Sequence, residues 1–75
     1  MGKSRERAAT LLEKYGNAIL RTAYSYLHNM EDAEDILQDT LIQYLKSDSE
    51  YNDEEHEKAW LLRVAINLSK NKVIA

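Results

Sequence analysis

Two groups of residues in this chain have types and spacings suited to recognition. Glu31, Asp35, Gln38 and Ile42 recur at steps of four, three and four, with Asp39 beside them. On a helix this spacing forms one stripe of carboxylates, an amide and a branched aliphatic, a surface suited to a basic partner helix. The second group, Asn67, Lys70, Asn71 and Lys72, combines two amides with two ammonium groups. These polar groups close an otherwise apolar segment, which raises the question of what they meet. Either group also fits a plain solvated face.

Bond-making chemistry has less support. His28, Glu31, Glu34 and Asp35 have the residue types of a carboxylate–histidine metal site, but di-iron helical bundles need Glu-x-x-His pairs from two helices. Neither His28 nor His56 follows a glutamate at that spacing, so no metal is expected and no cofactor is implied. Cysteine is absent, which excludes disulfides and thiolate ligands. There is no glycine-rich phosphate loop and no Ser/His/Asp order of the hydrolase kind. The expectation is a binding protein, not an enzyme.

The charge is divided along the chain. The net charge is −3, yet residues 29–57 hold eleven acids against Lys46 alone, while residues 58–75 hold Lys58, Arg63, Lys70 and Lys72 and no acid. The first 28 residues carry five basic groups and two acids. An acidic middle between basic ends fits two kinds of partner, or simply an acidic solvated surface. No apolar run reaches the length of a membrane span, and Met1 to Arg5 lacks the apolar stretch of a signal peptide. A soluble cytoplasmic protein without membrane contact is expected.

These groups need elements to hold them. Seventy-five residues make one domain, which at this size buries only about 60% of its unfolded surface. With no proline, two glycines and many Ala, Leu, Glu, Lys and Arg residues, the chain favours helices. Apolar residues at three- and four-residue steps predict helices over about 4–28, 30–46 and 53–72, an all-α three-helix bundle. Ser4 and Asn29 are the expected N-caps of the first two helices. Gly16 admits a neighbouring helix or is merely tolerated. The short link at Asn29 predicts an antiparallel hairpin. Residues 47–57 read as a polar connector ending in Asn52-x-x-Glu55, a capping box for the third helix. That helix has two apolar stripes, Leu61, Val64, Ala65 and Leu68, then Ala59, Leu62 and Ile66, which predicts a central position in the bundle. Trp60 is expected to pack in the core, and Arg63 to meet either a phosphate or an acid of the second helix.

"DAEDILQDTLIQYL" followed by "AWLLRVAINLSKN" resembles the second conserved region of bacterial sigma factors, in particular their extracytoplasmic-function group. "YGNAILRTAYSYLHN" is similar to the preceding helix of that family, so the resemblance spans roughly residues 10–72. It implies a sigma region 2-like bundle, expected to be a fragment of a longer sigma factor. It further implies that Asp35, Gln38 and Asp39, with Ile42 as the apolar contact, dock on the β′ clamp helices of core RNA polymerase. Tyr51, Arg63, Asn67, Lys70 and Asn71 would contact the minus-ten element of promoter DNA on its non-template strand. Asn67 matches a DNA-reading asparagine, and Tyr51 sits where the family often carries an aromatic. An anti-sigma factor is a further implied partner. The acidic connector would repel phosphates, and it favours the alternative of a protein-interaction module, a sigma-like regulator that binds no DNA.

Overall fold

The computed structural model describes residues 5–47 and 53–74 and has three helices, α1 (Arg5–Leu27), α2 (Met30–Lys46) and α3 (Glu54–Ile74). The all-α architecture and the bounds of α2 agree with the periodicity, while α1 ends one residue early and α3 runs two residues further. None of the helices among the described residues is long and apolar enough to cross a membrane.

The break between α1 and α2 is made by His28 and Asn29. His28 adopts a left-handed φ of 52°, which ends α1 after its backbone N–H donates to the Tyr24 carbonyl at 2.8 Å. Asn29 is extended, and its Oδ1 accepts from the Asp32 N–H at 3.1 Å, the N-cap expected from the sequence. Glu31 and Asp32 then lie in the first turn, at the positive end of the helix dipole. Ser47 closes α2 by donating its N–H to the Gln43 and Tyr44 carbonyls.

At the start of α3 Asp53 accepts through Oδ1 from the His56 N–H at 2.7 Å, so its side chain caps an orphan donor and its charge sits at the positive end of the helix dipole. Ser4 and Asn52 lie outside the described residues.

The core is made by three rows of buried residues: Leu11, Tyr15, Ile19 and Ala23 on α1; Ala33, Ile36, Thr40 and Tyr44 on α2; Glu57, Leu61, Ala65 and Ser69 on α3. Leu20, Leu27, Leu37, Leu41, Trp60, Leu62 and Leu68 are half-buried against this core. Ile19 and Leu61 are fully buried, each worth about 1.5–3 kcal/mol of hydrophobic stabilisation. The path is up, down, up. Arg7 near the start of α1 reaches Glu57 near the start of α3, and Lys72 near the end of α3 reaches Asp32 at the start of α2.

The central helix is α1, not α3 as the two apolar stripes implied. α1 packs more extensively on each partner than α2 and α3 pack on one another. The second stripe of α3 fails at Ala59, which is exposed, and the core position in that turn is held by Glu57, four residues before Leu61. Gly16 is buried, but a Cβ there would meet only Leu12 of its own helix, at 3.1 Å from Cδ1. No neighbouring helix approaches it within that range, so the glycine is tolerated and not required for packing.

Candidate functional site

α2 has two unlike faces. Ala33, Ile36, Thr40 and Tyr44 are buried, and the Thr40 hydroxyl is satisfied within the helix by donating to the Ile36 carbonyl at 2.7 Å. On the opposite side Glu31, Asp35, Gln38, Asp39 and Ile42 are all exposed and form one continuous surface. Ile42 leaves 47% of its area in solvent, an isolated aliphatic among carboxylates. The stripe expected from the spacing is therefore present as a surface.

α3 is arranged likewise. Its buried row of Glu57, Leu61, Ala65 and Ser69 turns Arg63, Asn67, Lys70 and Asn71 outward, all four exposed. At about 100° per residue these positions share one side of the helix. They combine a guanidinium, two amides and an ammonium group, and from Lys58 to the C-terminus no acid interrupts them. Arg63 has no ion pair with an acid of α2 among the described residues, which leaves its charge facing solvent. Tyr51 lies outside the described residues.

Lys72 does not belong to that outward group. It lies over the buried side of α3, where its Nζ sits 3.4 Å from Asp32 Oδ1 and 3.6 Å from Asp35 Oδ2. One residue of the acidic stripe is therefore already engaged by a cation of this chain. The sequence signal was the nine-residue step from Arg63, two and a half turns, which carries Lys72 to the opposite side.

A buried polar network holds the end of α2 to the start of α3. The Tyr44 hydroxyl donates to Glu57 Oε2 at 2.8 Å, Arg7 Nε donates to the Tyr44 oxygen at 2.9 Å, and Arg7 Nη2 lies 3.4 Å from Glu57 Oε2. Burial raises the Tyr44 phenol above its ordinary pKa, and Glu57 adds to that rise against the opposing pull of Arg7. The hydroxyl therefore keeps its proton and can donate. Hydrogen bonding to Tyr44 first, and the charge of Glu57 after it, hold the Arg7 guanidinium above its usual value. Trp60 sets its ring edge-on to Tyr44, with centroids 6.0 Å apart, so the tryptophan packs against the core as expected.

Sequence reasoning missed this network by counting Glu57 with the solvated connector acids. Its signal was phase, since Glu57 precedes Leu61 by four residues and Leu61 precedes Ala65 by four. With Glu57 buried and paired, Asp53 and Glu55 remain as exposed acids at the start of α3.

Among the described residues no group of three or more His, Asp or Glu side chains is placed to hold a metal ion. What the two outward faces can do is bind: one offers acids, an amide and an aliphatic, the other cations and amides. The fold and these surfaces make a small all-α bundle with two unlike outward faces. Its sequence matches the family described as sigma-70 region 2 over residues 11–73, and the chain belongs to that family. It is also similar to the RNA polymerase sigma-H factor of Pseudomonas aeruginosa, with 29% identity over 65 residues. That alignment covers 87% of this chain and 34% of the relative, so the chain spans about a third of the protein it resembles. No solved structure matches the chain.

Proposed function

We propose that this domain is the polymerase- and promoter-binding module of a sigma factor of the extracytoplasmic-function type. The outward face of α2 docks on the β′ clamp helices of core RNA polymerase through Asp35, Gln38, Asp39 and Ile42. The outward face of α3, through Arg63, Asn67, Lys70 and Asn71, holds the non-template strand of the minus-ten element, with Tyr51 contributing from the connector. The domain makes and breaks no covalent bond; transcription chemistry belongs to the polymerase.

The observation that carries this reading is the separation of charge onto two outward faces inside a chain of the sigma-70 region 2 family. An acidic stripe attracts a basic coiled coil, and one exposed aliphatic, Ile42, supplies an apolar contact at its C-terminal end. Amides with nearby cations suit a strand whose bases are unpaired and whose phosphates are accessible. Burial of Glu57 against Arg7 removes one acid from the neighbourhood of that strand. An anti-sigma factor would act by covering either face.

A second reading has its own support. Asp53 and Glu55 stay exposed beside the α3 face and would repel phosphates, which suits a module that binds protein alone. One experiment separates the two. Binding of the chain to single-stranded non-template minus-ten DNA is measured across a salt series, beside binding to the isolated β′ clamp helices. The sigma reading predicts both, with DNA affinity falling as salt rises. Clamp binding with no DNA binding at low salt would leave the protein-only module.

A further inference from the structure

We propose that this chain docks on a second copy of itself, with α3 of one copy lying antiparallel along the outward face of α2 of the other. The stripe of Glu31, Asp35, Gln38 and Ile42 suits a basic helix, and the chain carries a basic helix of its own. From Lys58 onward α3 holds Lys58, Arg63, Lys70 and Lys72 and no acid. Ala59, Arg63, Ile66 and Lys70 recur at steps of four, three and four, the same steps as the α2 stripe. Ala59, Arg63 and Lys70 are exposed and Ile66 is half-buried, so this row is also a surface.

Equal spacing lets the two rows face each other in register. Laid antiparallel, Glu31 falls opposite Lys70, and Gln38 falls opposite Arg63 with Asp39 beside it, so each cation meets a carboxylate. Ile42, 47% exposed in the free chain, falls opposite the methyl of Ala59. Asp35 falls opposite Ile66, but its carboxylate already has a cation, Lys72 of its own chain, 3.6 Å away. A parallel arrangement would instead set Ile42 against Lys70 and leave Glu31 at Ala59. Both rows lie opposite the buried rows of their helices, so on one chain they face different directions. The contact is therefore head-to-tail, and a pair of copies keeps one free face of each kind for further copies. Resting on a few exposed charge pairs, it is weak and screened by salt. Each contact covers the α2 stripe of one copy and the α3 row of the next.

The test is sedimentation equilibrium of the 75-residue chain, with circular dichroism to confirm that each variant keeps its helices. At about 0.01 M salt the weight-average mass should climb from the 8.7 kDa monomer past the dimer as concentration approaches roughly millimolar. At about 1 M salt it should stay at the monomer mass. Arg63→Glu with Lys70→Glu makes the α3 row acidic, and Gln38→Lys with Asp39→Lys makes the facing part of α2 basic. Each double variant alone should associate at least about tenfold more weakly than wild type, because like charges then meet. An equimolar mixture of the two should recover association at low salt, since the unchanged faces fit one another and so do the changed ones. A wild type that stays monomeric at low salt would overturn the proposal and leave both faces to other partners. A mixture no heavier than its separate components would overturn it too. Neither polymerase nor DNA is present, so such a failure leaves the functional reading standing, to be decided by the clamp and oligonucleotide titrations.

Discussion

The Tyr44 hydroxyl donates to the Glu57 carboxylate at 2.8 Å, and this bond clamps the end of α2 to the start of α3. The two residues lie on either side of the connector, so the contact sets where α3 begins and which way it faces. Arg7 of α1 completes the junction by donating to Tyr44. The outward presentation of Arg63, Asn67, Lys70 and Asn71 follows from this anchoring at one end and the Lys72 pairs at the other.

Removing the Tyr44 hydroxyl leaves a buried carboxylate with a longer, half-exposed contact to Arg7. Tyr44→Phe should therefore lower stability by about 1–3 kcal/mol, because a buried partner is lost while the ring still fills its site. For a domain of this size each kcal/mol moves the melting midpoint by roughly 4–8 °C. Thermal melts followed by circular dichroism test this, and an unchanged midpoint would show that the bond contributes nothing.

The same phenol predicts an alkaline limit. Its folded pKa lies above the unfolded value of 10.0, so the folded state holds the proton more tightly. Its contribution is complete below that unfolded value and is lost as pH rises through the folded value. Urea midpoints should decline above about pH 10, and less steeply in Tyr44→Phe, which lacks the titrating group. Parallel curves for the two proteins would exclude Tyr44 as the source.

Two positions offer stabilisation. Ser69 is fully buried, and among the described residues its hydroxyl has no hydrogen-bond partner. Ser69→Ala removes an unsatisfied group and improves helix propensity, for a gain of about 1 kcal/mol. Gly16→Ala should add about 1 kcal/mol, since the new methyl meets only the flexible and exposed end of Leu12. Chemical denaturation of the single and double variants should give additive gains. A loss at Gly16 would mean that Leu12 cannot move aside.

On α3, Arg63→Gln should weaken single-strand binding alike for all sequences and reduce the salt slope by about 0.7. Asn67→Ala should instead relax base preference with little change in that slope. Fluorescence titrations with matched and scrambled oligonucleotides distinguish the two outcomes. Identical preference in wild type and Asn67→Ala would remove Asn67 from the site.

Much of the fold was legible because the signals are local. The three-helix count and the Asn29 cap follow from apolar period and cap chemistry, and the exposure of the α2 stripe follows from which residues the same period buries. Two misses share one cause: a polar residue at a core position is invisible to a count of apolar ones. Glu57 and Ser69 both occupy core positions, and each belongs to the buried row of α3 in helical phase. The partners that permit burial, Tyr44 and Arg7 for Glu57, come from distant parts of the chain, which no local pattern reveals. The Lys72 pairs were hidden likewise, since they depend on the up-down-up path that brings the end of α3 to the start of α2.

The central claim is that the outward face of α2 is the surface that meets RNA polymerase. Equilibrium binding of fluorescently labelled chain to core enzyme tests it most directly, comparing wild type with Asp35→Ala combined with Gln38→Ala. Both side chains are exposed, so the variant should keep its helices and melting midpoint. The account predicts binding weakened by at least tenfold with the fold intact. Undiminished affinity in the folded variant would contradict it.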